Sequence, residues 1–219
     1  MTNHYRGMKR SHKIMIGLLF LLAVAMIATP PYALQAIWNG LPDIDDYKIF
    51  NSRVCECGRG EPWEISEAYN KVTLPAGMVE NIKQYDPVAF LVIQDEQIVY
   101  EEYWDAYNAT SMSNSFSMAK GIISLLIGAA IDDGYIRSID QKVGDFIPSF
   151  NEGGKSRISI RHLLTMSSGL DWDEAYSTLF SPTTELYYGD NLLGLINESK
   201  SVNEPGITFQ YSSLDSQIL

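Results

Sequence analysis

The stretch SFSMAKGIISLLIGAAIDDG, residues 115–134, carries the reading on which the others depend. Its long apolar run closed by Gly134 predicts a helix. Its first turn holds a hydroxyl at Ser117 and, three residues on, the only lysine of the segment, Lys120. Residues at i and i+3 share a helix face, so the two side chains are predicted to stand within reach of one another. The helix dipole opposes a cation at this end, and Met118, Ala119, Ile122 and Ile123 are apolar neighbours. Both effects favour the neutral amine, the form that accepts a proton from a serine nucleophile. The helix N-terminus is expected to offer backbone N–H groups to an oxyanion, and a helix apolar nearly all round is expected to be buried. A serine followed three residues later by a lysine turns up about once by chance in a chain of this length. The bland alternatives are an N-capping Ser117 and a Lys120 that snorkels to solvent.

Other nucleophile chemistries are short of residues. Of the three histidines, His4 and His12 precede an apolar run, which leaves His162, set among core-like leucines in IRHLLTM, where a structural role is expected. The G-x-S-x-G elbow is absent, and there is no histidine cluster to hold a catalytic metal. Cys55 and Cys57 are separated by one residue, so a bridge between them would close a very tight ring; they read as incidental or as pairing elsewhere.

The net charge is −11, and the four basic residues among the first 13 mask a body that is more acidic still. Such a body repels a phosphate backbone, which argues against a nucleic-acid partner. The basic segment, residues 1–13, precedes IMIGLLFLLAVAMIATPPYAL, residues 14–34, which carries no charge. Its length just suffices to span a bilayer, and its one A-x-A pattern, Ala23-Val24-Ala25, lies inside the apolar run rather than after it. A retained membrane anchor with the body outside the cell membrane is the reading; a cleaved signal peptide with a secreted or periplasmic product is the alternative.

Residues 35–85, with Pro42, Pro62 and Pro75, read as a connecting segment, and residues 86–219 as the beginning of a catalytic domain. Two β-rich runs around Gln94-Asp95-Glu96 predict a hairpin over 88–104. Residues 138–150 predict a turn or two of helix, and 158–172 a short helix stopped by Ser168-Gly169. Residues 173–195 read as a loop with one helix. Residues 204–219 read as a turn, a short extended piece and a new helix carrying Leu214, Ile218 and Leu219.

Three separated segments give a resemblance. SFSMAK before an apolar helix, IRHLLTMSSGLDW about 40 residues later, and then PGITFQYSS are similar in order and spacing to serine hydrolases related to class C β-lactamases and penicillin-binding DD-peptidases. That resemblance implies an α+β fold, with an antiparallel sheet flanked by helices, a further helical region and the active site between them. It implies acylation of Ser117, proton transfer assisted by Lys120, and Tyr211 as a further base. A tyrosine serves so only beside positive charge, which Lys120 supplies. Ser213, the substrate-binding position, stands where β-lactamases carry asparagine, and Y-x-S resembles the esterase and 6-aminohexanoate-dimer hydrolase side of the family. The implied substrate is a small ester or amide, with no metal and no organic cofactor. The rival readings are a DD-peptidase or β-lactamase proper and a catalytically silent, membrane-tethered binding protein. The family's third motif, a His or Lys followed by x-Gly, lies on a strand beyond the tyrosine segment. None of Ser212 to Leu219 supplies it, so the chain reads as an N-terminal fragment that does not catalyse alone.

Overall fold

The 115–134 stretch folds as a helix over Met118–Asp132 in the computed structural model, which describes residues 2–55, 58, 60–176 and 178–219. Cys57 lies outside the described residues. In chain order the helices are α1 (Thr2–Ala28), α2 (Pro31–Asn39), α3 (Ala76–Lys83), α4 (Met118–Asp132), α5 (Ile160–Leu164), α6 (Pro182–Tyr188), α7 (Leu192–Glu198) and α8 (Ser213–Ile218). The strands are β1 (Glu64–Ile65), β2 (Ala89–Gln94) and β3 (Gln97–Tyr103). Short 3₁₀ turns fill 143–145, 148–151 and 153–157. The chain forms two compact units, Met1–Pro42 with Ser115–Leu219, and Asp43–Asn114.

The smaller unit holds the sheet, ordered β1-β3-β2. β2 and β3 form the predicted hairpin, with Gln94 opposite Gln97 and a register shift at Val92/Ile93. Asp95 and Glu96 make a two-residue turn with φ of +52° and +61°, the mirror-image geometry that follows strand twist. The sheet is mixed rather than purely antiparallel, because the two residues of β1 pair with β3 in parallel. Among the described residues of this unit no apolar side chain is fully buried. By its internal contacts the hairpin groups with the segment that precedes it.

The larger unit holds the core. Val143, Phe150, Ile158, Leu163, Leu170, Trp172, Ile196 and Leu214 bury one another, and Ile127, Ile136 and Ile160 form a second small cluster beside them. Gly134, at φ +80°, ends α4, with its amide on the Ile131 carbonyl at 3.0 Å; a side chain would be strained there. Only one face of α4 is sheltered, through Ile123, Ile127, Ala130 and Ile131. The expected burial is therefore corrected: Met118, Ile122 and Leu125 stay 76, 59 and 74% exposed, since among the described residues of this unit none covers that face.

α5 ends sooner than the sequence suggests, at Leu164 rather than at Ser168-Gly169, because Met166 takes a positive φ of 50°. Residues 173–195 hold α6 and the start of α7 rather than one helix. Each is announced by a cap: Ser181 accepts from the Thr184 amide ahead of Pro182, and Asn191 accepts from the Gly194 amide. α2 packs on α6, burying Ala33 and Ala36, and the Tyr188 hydroxyl donates to the Gly40 carbonyl at 2.9 Å. Among the described residues no single helix is long and apolar enough to cross a membrane. His12–Ala28 and Pro31–Asn39 meet that requirement only together, across a bend of 109° at Pro30 and Pro31.

Candidate active site

Ser117 occupies the N-cap position of α4, yet its hydroxyl makes no capping bond. Its Oγ instead accepts from Lys120 Nζ at 3.1 Å and from the Tyr211 hydroxyl at 2.7 Å. The Lys120 ammonium also sits 5.2 Å from the centroid of the Tyr211 ring, a cation–π distance. The three residues singled out in the sequence thus meet at one exposed oxygen, across a sequence separation of 94 residues for the tyrosine. Phe116, immediately before the serine, has a φ of +43°, which is strained for a bulky residue and common beside functional groups.

Tyr211 is held by its neighbours on both sides. Gln210 donates its amide to the Met166 carbonyl and its side-chain nitrogen to the Trp172 carbonyl, at 2.8 and 2.7 Å. On the other side, Ser212 caps α8 by accepting from the Asp215 amide at 3.0 Å, and both Ser212 and Ser168 donate to Asp215 Oδ1. The IRHLLTMSSGLDW and PGITFQYSS segments are therefore tied to one another by these bonds. Asp215 is fully buried; desolvation pushes its carboxyl up to about 6 although both hydroxyls oppose the rise.

Ser213 is engaged from within the protein. Its Oγ accepts from Lys120 Nζ at 3.1 Å and donates to Glu174, whose carboxylate also accepts from the Ser213 amide, the Trp172 indole and the Tyr176 hydroxyl. Burial pushes the Glu174 carboxyl upward, but the converging donors outweigh it and the net shift is downward. Tyr176 moves the other way, to about 12, by burial and by the Glu174 carboxylate. It therefore keeps its proton and is no base. Glu174 escaped the sequence reading because a lone acid in a polar loop carries no signal. Its partners Trp172 and Ser213, each inside a motif segment, were the available clue.

At the helix end three of the expected donors are already engaged. The amides of Met118, Ala119 and Lys120 close tight turns on the carbonyls of Ser115, Phe116 and Ser117, each at 3.1 Å. His162 takes the structural part: its Nδ1 accepts from the Ser159 amide in a capping box at the start of α5. Burial, then Lys142 and Arg161, hold that imidazole below its ordinary range. Among the described residues no group of histidine, cysteine or carboxylate side chains is arranged to hold a metal.

A serine oxygen shared by a lysine and a tyrosine thus stands at the start of α4. The β-lactamase family model matches residues 78–219, and the chain belongs to that family of hydrolases. No curated protein matches. Among solved structures, a Bacillus anthracis protein provisionally described as a 6-aminohexanoate-dimer hydrolase is similar at 15% identity, with a TM-score of 0.52, over 72% of this chain and 47% of that one. A Bacteroides dorei protein provisionally described as a β-lactamase is similar at 22% identity, with a TM-score of 0.51, over 65% of this chain and 42% of that one. The chain thus spans under half the length of these structures, and at these identities the likeness speaks for the fold alone.

Proposed function

We propose that the protein of which this chain is the sequence is a serine hydrolase that cleaves a small ester or amide through an acyl-enzyme on Ser117. The observation that carries this reading is the convergence of Lys120 Nζ and the Tyr211 hydroxyl on Ser117 Oγ. With one proton withdrawn from the Lys120–Tyr211 pair, that pair takes the Ser117 proton as Oγ attacks the substrate carbonyl. The same proton passes to the departing alcohol or amine when the C–O or C–N bond breaks. Water then gives a proton to the pair, attacks the acyl carbon and releases the acid, and Ser117 recovers its proton.

Ser213 in place of asparagine, with its hydroxyl already committed to Lys120 and Glu174, favours a simple ester or linear amide over a β-lactam. The neighbour described as a 6-aminohexanoate-dimer hydrolase agrees with a linear amide. The part of the apolar run that precedes α2, residues 14–30, behind its basic flank, anchors the enzyme in the cell membrane with the body outside, while Ala33 of α2 is buried on that body.

A fluorophosphonate probe applied to the whole protein tests the assignment. Labelling is expected on the peptide containing Ser117 and is expected to vanish in Ser117→Ala. Labelling that persists in that variant would falsify the assignment, and a folded protein that takes no label is the catalytically silent binding protein instead.

A further inference from the structure

A cavity of about 240 Å³ with a mainly apolar wall is lined in part by neighbours of the candidate site. Two of its lining residues tie it to the site. Phe116 precedes the nucleophile in the chain, and Tyr176 donates to the Glu174 carboxylate that also holds Ser213. The opposite wall comes from α2 and the turn after it, through Ala36, Gly40 and Leu41. Among the described residues no charged one lines the cavity.

Several hydroxyls in its wall are already spent. Thr183 donates to the Asp173 carbonyl at 2.7 Å, Thr184 to the Thr178 carbonyl at 2.6 Å, and Tyr188 to Gly40. The residues that remain unpacked are apolar: Phe116, Leu41 and Leu179 stay 43, 73 and 41% exposed. An open cavity with an apolar lip and few polar groups to satisfy favours an uncharged hydrocarbon guest. Its volume lies under the roughly 300–1,000 Å³ of sites that enclose a whole drug-sized ligand, so it suits one arm of a substrate.

Resting on the serine-hydrolase reading, we propose that this cavity binds the uncharged hydrocarbon arm of the ester or amide substrate, with α2 as one wall of the specificity pocket. The substrate class is then an acyl compound whose acyl group extends beyond acetyl. Longer linear acyl chains gain contact until the cavity fills.

The whole protein is assayed with p-nitrophenyl acetate, butyrate and hexanoate. The kcat/KM is expected to rise about tenfold for each added pair of methylenes, as burial of an alkyl chain implies. Leu179→Asp and Ala36→Leu are each expected to lower the hexanoate-to-acetate ratio about tenfold. Because the ratio is taken within one protein, a loss of folded fraction cancels. Turnover that depends on Ser117 but is flat with chain length, or a ratio that neither variant moves, overturns the pocket while leaving the hydrolase reading intact. If no ester is turned over and Ser117 takes no fluorophosphonate label, the hydrolase reading fails and the pocket is judged by binding. Titrated with 1-hexanol, ¹³C-methyl-labelled protein is then expected to shift the Ala36 and Leu179 methyl signals, and shifts absent there overturn it.

Discussion

Lys120 makes its two hydrogen bonds to two serines, and they have different jobs. In the proposed mechanism Ser117 Oγ gives up its proton, whereas Ser213 links the lysine to the half-buried Glu174 carboxylate. A guanidinium remains charged and cannot accept a proton, so Lys120→Arg is expected to lower kcat by about 10²–10⁴ while leaving thermal unfolding near that of the parent. A parent-like kcat in that variant rules the lysine out of proton transfer. Glu174 predicts a different pattern. Four donors converge on its two oxygens, so Glu174→Gln replaces an acceptor with an amide that faces donors. The expected cost is about 1–3 kcal/mol of stability, read by urea unfolding. A fall in kcat at nearly constant KM should accompany it, because Lys120 loses its anchor. A Glu174→Gln protein with unaltered kcat would reduce the carboxylate to packing. The serine–lysine–tyrosine set was legible in the sequence because helix periodicity places Ser117 beside Lys120 and a three-segment pattern names Tyr211. Glu174 was illegible because its function comes from donors up to 39 residues away.

The elements that carry the site are short and are fixed by polar caps as much as by apolar burial. α8 begins at a Ser212 cap over an Asp215 that is buried with one oxygen lacking a partner. Its raised carboxyl is a stability statement with a definite sign. Between the ordinary carboxylate range and about pH 6 the folded protein binds more protons than the unfolded chain, so stability is present below that range and is lost as pH rises through about 6. Chemical denaturation at pH 4 and pH 8 is expected to show this contribution fading by about 2–3 kcal/mol, and Asp215→Asn should flatten that part of the profile. A parent and variant with parallel profiles would show that Asp215 does not govern it. At this scale the sequence served unevenly. The hairpin over 88–104 was legible because its β-rich runs flank a polar pair that makes the turn. The end of α5 was not, because Met166 accepts a left-handed conformation that its side chain does not advertise. The exposure of α4 was not legible either, since an apolar face says that it prefers cover without saying what supplies it.

For the whole molecule, the feature with the widest reach is the way the N-terminal helices join the larger unit. α2 begins inside the last four residues of the apolar run, and its Ala33 and Ala36 are buried against the larger unit's helical body. In the proposed topology, protease added to cells stripped of any outer wall is expected to degrade the body; a body protected in the cytosol would refute it. A soluble product starting after Ala25 would replace the anchor with a signal peptide and keep α2 whole. One starting after Ala36 would lose most of α2 and the Ala36 wall of the cavity, so it is the outcome the packing disfavours.

Only Thr29 and Pro30 separate α1 from α2, and two extended residues reach about 7 Å. On the proposed anchor, that makes a leash too short for the body to tumble freely above the lipid. The mouth of the cavity would keep a nearly constant height over the bilayer, and encounters would become a search across a surface rather than through a volume. A flexible spacer inserted between Thr29 and Pro30 would then leave turnover of a dissolved ester unchanged, yet alter the rate on the same acyl group carried in the membrane.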